Sequence, residues 1–242
     1  MKLVFYSLKT NFNRLENKPF LICRNKMRKR KYTPLDHTRV VYEAGQASDP
    51  VPVIHNIVST AQIKCSSGSL NLDKICTILP GSSYDRKKFA AMTIRLADPN
   101  CTILLFSSGK LVVTGGRTWY ESILSCLFIR QFLQDHLINH DFLLTGCEIQ
   151  NIVAHVEIFK GREEDFFLNI EAMYSQLNVE CTYQKQMFPG LIYRPSASPI
   201  VLLCFLSGKV VITGGKNQDD VFEGWHRLWP VVKQFVQPKL RP

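Results

Sequence analysis

The apolar positions of this chain fall into short, β-branched runs bounded by turn residues, and each run has a counterpart about a hundred residues on. ILLF (103–106) and LVV (111–113) in the first half answer IVLLCF (200–205) and VVI (210–212) in the second. Runs of this length and composition predict strands. In the first half they lie near 89–96, 101–107 and 110–114, joined by Asp98-Pro99-Asn100 and Ser108-Gly109 as antiparallel hairpins. A short strand is expected at each Asn-Ile-Val, and after each a polar stretch and a helix, near 71–79 and 163–175. Thr118 with Glu121 three residues on predicts a capped helix running to about Leu137. Asn217 is placed to cap a second long helix through Trp225 and Trp229, with Pro230 expected to bend or restart it.

The correspondence is an internal duplication. SSGKLVVTGG (107–116) and LSGKVVITGG (206–215) agree at 7 of 10 positions, at an offset of 99. KKFAAMTIRL (87–96) aligns with QMFPGLIYRP (186–195) at the same offset, placing Phe89 over Phe188 and Arg95 over Arg194. The preceding His55-Asn56-Ile57-Val58 and Gln150-Asn151-Ile152-Val153 are 95 apart, so the second copy carries a four-residue insertion. Units this long are not solenoid repeats. They predict two halves, 51–140 and 141–242, behind an N-terminal arm over 1–50.

Two long helices cover one face of a sheet of about ten strands, so the other face stays open. Alternation gathers Asn56, Val58, Leu104, Phe106, Val112 and Thr114 on it, with Asn151, Val153, Leu203, Phe205, Val211 and Thr213 as the second set. An uncovered apolar face of this size is a binding surface or an aggregation hazard.

NIVST, KKFAAMTIRL, LLFSSGKLVVTGG, IQNIV, MFPGLIYR and VLLCFLSGKVVITGG together resemble the core of the TATA-box-binding protein family, over about 52–236 and with both repeats in order. The resemblance implies an α+β fold, a pseudo-twofold saddle with helices on the convex side and double-stranded, A·T-rich DNA under the concave side. It implies that Phe89 and Phe106, and Phe188 and Phe205, are wedges entering base steps. It places Asn56, Asn151, Thr114 and Thr213 on minor-groove acceptors and Val58, Val112, Val153, Val211, Leu104 and Leu203 on the groove floor. Lys87, Lys88, Arg95, Lys110, Arg117, Arg194, Lys209 and Lys216 match the phosphate-holding rim. The implied activity is nuclear transcription initiation, with factors of the IIA and IIB type and an RNA polymerase machinery as partners, and neither catalysis, cofactor nor metal. The alternative is a scaffold of the same fold that no longer bends DNA. The saddle also resembles a domain appended to some glycosylases and hybrid nucleases, but no catalytic Asp/Glu cluster accompanies it here.

The partner-facing edges depart from the family pattern. Tyr183-Gln184-Lys185-Gln186-Met187 lacks the acidic residues expected before the second wedge. The helix from Trp119 to Leu137 has Arg130 as its one Lys/Arg, where the family's is strongly basic. Ser66-Ser67-Gly68-Ser69 and Glu163-Glu164-Asp165 have no family counterpart.

Composition adjusts this picture little. The net charge of +10 is concentrated in residues 1–50, which contribute +7, with RNKMRKRK at 24–31 as a localisation signal, nucleic-acid arm or solvating tail. The remaining 192 residues contribute only +3, so cations that hold DNA must be clustered. Eight cysteines without CxxC spacing are expected to be reduced, small core residues. The opening MKLVFYSLK is not read as a signal peptide, and no run reaches membrane-span length. Ser-Gly-Lys leads into a strand and not a helix, which excludes a Walker phosphate loop. His136 and His140 lack an HExxH context and read as a solvated helix end, and Asn100-Cys101-Thr102 as a chance sequon.

Overall fold

A computed structural model describes residues 49–239 except 67. The basic arm, apart from its last two residues, lies outside the described residues.

The first repeat begins with β1 (Val53–Cys65), α1 (Leu72–Ile78) and β2 (Ser82–Ser83), then β3 (Ala91–Arg95), β4 (Thr102–Phe106) and β5 (Lys110–Gly116), and closes with α2 (Trp119–His136). The second has β6 (Phe142–Glu157), β7 (Phe166–Leu168), α3 (Ile170–Gln176), β8 (Cys181–Thr182), β9 (Leu191–Tyr193), β10 (Val201–Cys204), β11 (Lys209–Gly215), α4 (Gln218–Lys233) and β12 (Val236–Pro238). Ten strands form one antiparallel sheet in the order β2-β3-β4-β5-β1-β6-β11-β10-β9-β8, symmetric about the β1–β6 seam. Repeated register shifts along that seam are bulges, and bulges curve a sheet. The curved ten-stranded saddle expected from the sequence is therefore present.

Alternation decides which face is covered. Ile103, Leu105, Leu111 and Val113 are fully buried, as are Leu202, Cys204, Val210 and Ile212. They pack in two clusters with residues of α2 and of α4, respectively. Both long helices start with a complete capping box: Thr118 with Glu121, and Asn217 with Asp220. Such reciprocal caps satisfy otherwise orphaned N–H groups. The Trp225 indole donates to the Pro50 carbonyl at 2.6 Å and Trp229 to the Asp49 carboxylate at 2.8 Å, tying the start of the described chain to α4.

Four expectations need correction. The strands at Asn-Ile-Val are not short: β1 has 13 residues and extends mostly past the motif, and β6 has 16 and extends mostly before it. The helix placed over 163–175 starts only at Ile170; residues 166–168 form β7, whose backbone pairs with β12. Pro230 does not restart the helix, since α4 runs through it unbroken. Phe89 and Phe188 precede their strands, each in a turn.

Candidate nucleic-acid interface

The open face is built from cross-strand ladders. In the first half Thr93, Leu104, Val112 and Thr60 lie in register across β3, β4, β5 and β1. In the second, Ile192, Leu203, Val211 and His155 repeat the row across β9, β10, β11 and β6. All eight are partly exposed, flanked in each strand by buried neighbours, and no helix covers them. At the seam Asn56 faces Val153 and Val58 faces Asn151.

The two asparagines are held alike. Asn56 Oδ1 accepts from the Gly115 backbone N–H at 2.7 Å and the Thr114 hydroxyl at 3.1 Å. Asn151 Oδ1 accepts from the Gly214 N–H at 2.9 Å and from the Thr213 hydroxyl at 3.2 Å. A backbone N–H can bond only to the oxygen end of an amide, so the glycine contact fixes which end of each amide is oxygen and which is NH₂. Asn151 also brings its Nδ2 to 3.0 Å from Thr213 Oγ. Fixed donors on an apolar floor suit a partner that presents acceptors.

At each end of the face a pair of phenylalanines meets edge to face. Phe89 and Phe106 have ring centroids 6.3 Å apart, and Phe188 and Phe205 5.7 Å apart. Phe89 is 50% exposed and Phe188 36%, unusual for side chains of this size. The tighter pair stands over Gly190, where a Cβ would lie 2.7 Å from Phe188 and 2.9 Å from Phe205. The first repeat has Ala91 at the equivalent place.

The eight rim cations are all exposed. Lys87 and Lys88 share the turn that carries Phe89, where Lys88 lies 3.6 Å from the Asp85 carboxylate. Arg95 stands across from Thr102, Lys110 across from Gln62 and Lys209 across from Glu157. Arg117 and Lys216 donate backbone N–H groups to the capping carboxylates of Glu121 and Asp220. Arg194 donates its backbone N–H to Glu180. The rim is not symmetric: the second repeat has Gln186 and Met187 where the first has Lys87 and Lys88.

The sequence reading missed Thr60, Thr93, Ile192, His155 and the neighbouring His55 on this face. Alternation carried past the Asn-Ile-Val along β1 and β6 could have found Thr60 and His155, and alternation along β3 and β9 could have found Thr93 and Ile192; His55 sits at a register shift and is out of phase with it.

Residues 51–136 and 146–235 match the family described as transcription factor TFIID, or TATA-binding protein. The chain belongs to the TATA-binding protein family. It is 35% identical over 185 residues to a TATA-box-binding protein of Emericella nidulans, covering 76% of this chain and 65% of that one. It is likewise 35% identical over 191 residues to that of Spodoptera frugiperda, covering 78% and 59%. The relative from Acetabularia peniculus is 34% identical and is covered to 91% of its length, against 76% of this chain. The chain thus spans less than two thirds of two of these relatives. Among solved structures, Methanococcus jannaschii TBP superposes with a TM-score of 0.63 at 29% identity, covering 76% of this chain and 99% of that one. This is a family of DNA-binding transcription factors and not of enzymes.

Proposed function

We propose that this family member binds A·T-rich promoter DNA in the minor groove, kinks it at two steps and nucleates assembly of a nuclear transcription-initiation complex. The reading rests on one observation: two phenylalanine pairs, each with one exposed and one half-buried ring, stand at the two ends of an uncovered apolar face. Residues 51–140 and 141–242 supply one half-saddle each.

The mechanism needs no bond chemistry. Phe89 with Phe106, and Phe188 with Phe205, enter opened base steps and replace stacking with apolar contact. The valines and leucines fill the widened floor. The amide donors of Asn56 and Asn151, with Thr114 and Thr213, meet the N3 and O2 acceptors that every A·T pair presents and that the guanine amino group obstructs. The rim cations hold phosphates and release counterions. Steps that unstack easily, such as TA, are preferred.

The partner surfaces are altered. Arg130 of α2 donates to the Phe142 carbonyl at 2.9 Å and to the Gln131 side chain at 3.1 Å, and Lys185 lies 3.4 Å from Glu171. A factor of the IIA type docking on α2, or of the IIB type beside Lys185, therefore meets a less charged surface than the family pattern implies. These observations favour, as the second reading, a scaffold of the same fold with changed partners.

Gel-shift binding to a short TATA duplex, with bending read by energy transfer, tests the two. Bending by the native chain that disappears in Phe106→Ala and Phe205→Ala supports the first. A native chain that leaves the duplex straight overturns it.

A further inference from the structure

One side chain of α2 is buried on the side of the helix that turns away from the sheet. Leu124 lies nine residues, about two and a half turns, before Leu133, so the two project from opposite sides of α2. Leu133 is fully buried in the core of the first repeat. Leu124 is nonetheless only 5% exposed, and among the described residues it belongs to neither core cluster. Ile123 and Leu127 beside it are half-buried and likewise stand outside both clusters. The strands on which α2 packs, β1, β5 and β6, lie on its other side and cannot cover Leu124. At the repeat offset of 99, α4 has exposed Glu223 in place of Leu124 and exposed His226 in place of Leu127. The duplication has thus left one long helix with a charged outer face and given the other an apolar one.

We propose that residues 4–15 of the N-terminal arm dock on this outer face of α2 in the same molecule. In that segment Val4, Leu8, Phe12 and Leu15 recur at i, i+4, i+8 and i+11, the spacing of one helix face, and Pro19 closes the run. An amphipathic segment of this kind lays its apolar stripe on an apolar surface. Charge agrees with the pairing. Residues 1–18 carry four Lys/Arg and one Glu. On α2 the one Lys/Arg, Arg130, is turned to the Phe142 carbonyl. Asp135 stands exposed about three turns beyond Leu124 on the same face.

Attachment and reach favour the same molecule over a second copy. Asp49 accepts from the Trp229 indole, so the arm joins the body on the helix side of the sheet, where α2 also lies. A chain of 34 residues, the separation of Leu15 from Asp49, spans about 30 Å as a random coil and about 110 Å extended. The ten strands of the sheet together measure about 43 Å across, so α2 is within reach from α4. Such a tether gives an effective concentration on the order of 1 mM, about a thousandfold above a second copy at micromolar concentration. A partner that uses α2 must then displace the arm. The contact lies opposite the proposed DNA face, so it stands or falls apart from minor-groove binding.

The test uses the full chain with photoreactive benzoylphenylalanine at Leu127, and at Ile123 as a second position should the first variant not fold. The same probe at Val179, which is 95% exposed on the second repeat, is the control. Illumination should link the α2 probe to residues 4–15 of the same molecule, with a yield that about tenfold dilution leaves unchanged. The double variant Leu8→Asp with Phe12→Asp changes only the arm and would bury two carboxylates, so its yield should drop about tenfold or more. A yield that falls with dilution would assign the face to a second copy and overturn the proposal. So would links to another segment of the chain, a yield no higher than at Val179, or a double variant that links as well as the native arm.

Discussion

Val58 on β1 stands directly across from Asn151 on β6, as Asn56 stands across from Val153, so each repeat's asparagine is seated beside the other repeat's valine. The donors of the two halves are thereby brought to one place, the seam, and any base pairs read there are read by both repeats at once. Because each Oδ1 is consumed by a glycine N–H, the informative substitution keeps the anchor and changes the outward group. Asn56→Asp and Asn151→Asp retain an oxygen for Gly115 or Gly214 but replace the NH₂ by a carboxylate oxygen facing base acceptors. Affinity for a TATA duplex should fall about tenfold or more per substitution, the loss expected for a base-edge contact. Stability should change by less than about 1 kcal/mol. Filter-binding titrations beside urea melts check this; an Asp variant that binds as tightly as the native chain removes the asparagines from the interface.

Gly190 gives a separate handle on the second wedge. A methyl there lands 2.7 Å from Phe188 and 2.9 Å from Phe205, so one or both rings must swing aside. Phe188 is exposed and Phe205 half-buried, so the displacement costs the fold little, about 1 kcal/mol or less. Gly190→Ala is expected to reduce bending at one end of the site while Ala91→Gly leaves the other unchanged. Energy transfer from dyes placed at each half-site reads the two kinks separately. Equal bending at both ends in Gly190→Ala would mean that the rings adapt and that their resting geometry is not what shapes the DNA.

Most of this face could be read from residue order. Alternation in ILLF, LVV, VLLCF and VVI assigned Leu104, Phe106, Val112, Leu203, Phe205 and Val211 to the open side, because neighbours two apart must share a face. The duplication then doubled every assignment. What escaped was non-local. Bulges along the seam shift the β1–β6 register, so that Ile54 packs into the core while Asn56 faces outward, and no local pattern announces where a register slips. The β7–β12 pair joins segments about seventy residues apart and replaced an expected helical turn, since the run Asp165-Phe166-Phe167-Leu168 fits either conformation until a partner strand is present. The internal engagement of Arg130 was likewise invisible, because its acceptor lies on another element.

Salt dependence tests the rim. Eight phosphate contacts give a slope of log K against log salt of roughly −7. Lys110→Ala should make it shallower by about 1, uniformly across DNA sequences. Lys209→Ala should do so by less, because Lys209 stands across from Glu157 whereas Lys110 stands across from neutral Gln62. Titrations over a range of potassium chloride concentrations read both slopes. Equal losses would mean that Glu157 does not compete with phosphate for Lys209.

The buried thiols predict an alkaline limit to stability. Burial, with a smaller contribution from the charge of Cys181, pushes the Cys204 thiol up to about 12. Burial, with the nearby Glu180 carboxylate, pushes Cys181 up to about 11. In the unfolded chain a thiol ionises near 8.5. Between that value and the folded ones the native state holds more protons than the unfolded state, so stability falls as pH rises. Below pH 8 the contribution is complete and flat. Thermal melts should therefore move down progressively from about pH 9 to pH 11, and Cys204→Ala, though less stable at pH 7 for the cavity it opens, should show a shallower decline. Iodoacetamide at pH 8 should leave Cys204 and Cys181 unmodified in the folded chain and label both in guanidinium. An alkaline melting curve with the same slope in Cys204→Ala as in the native chain would assign the loss to other groups.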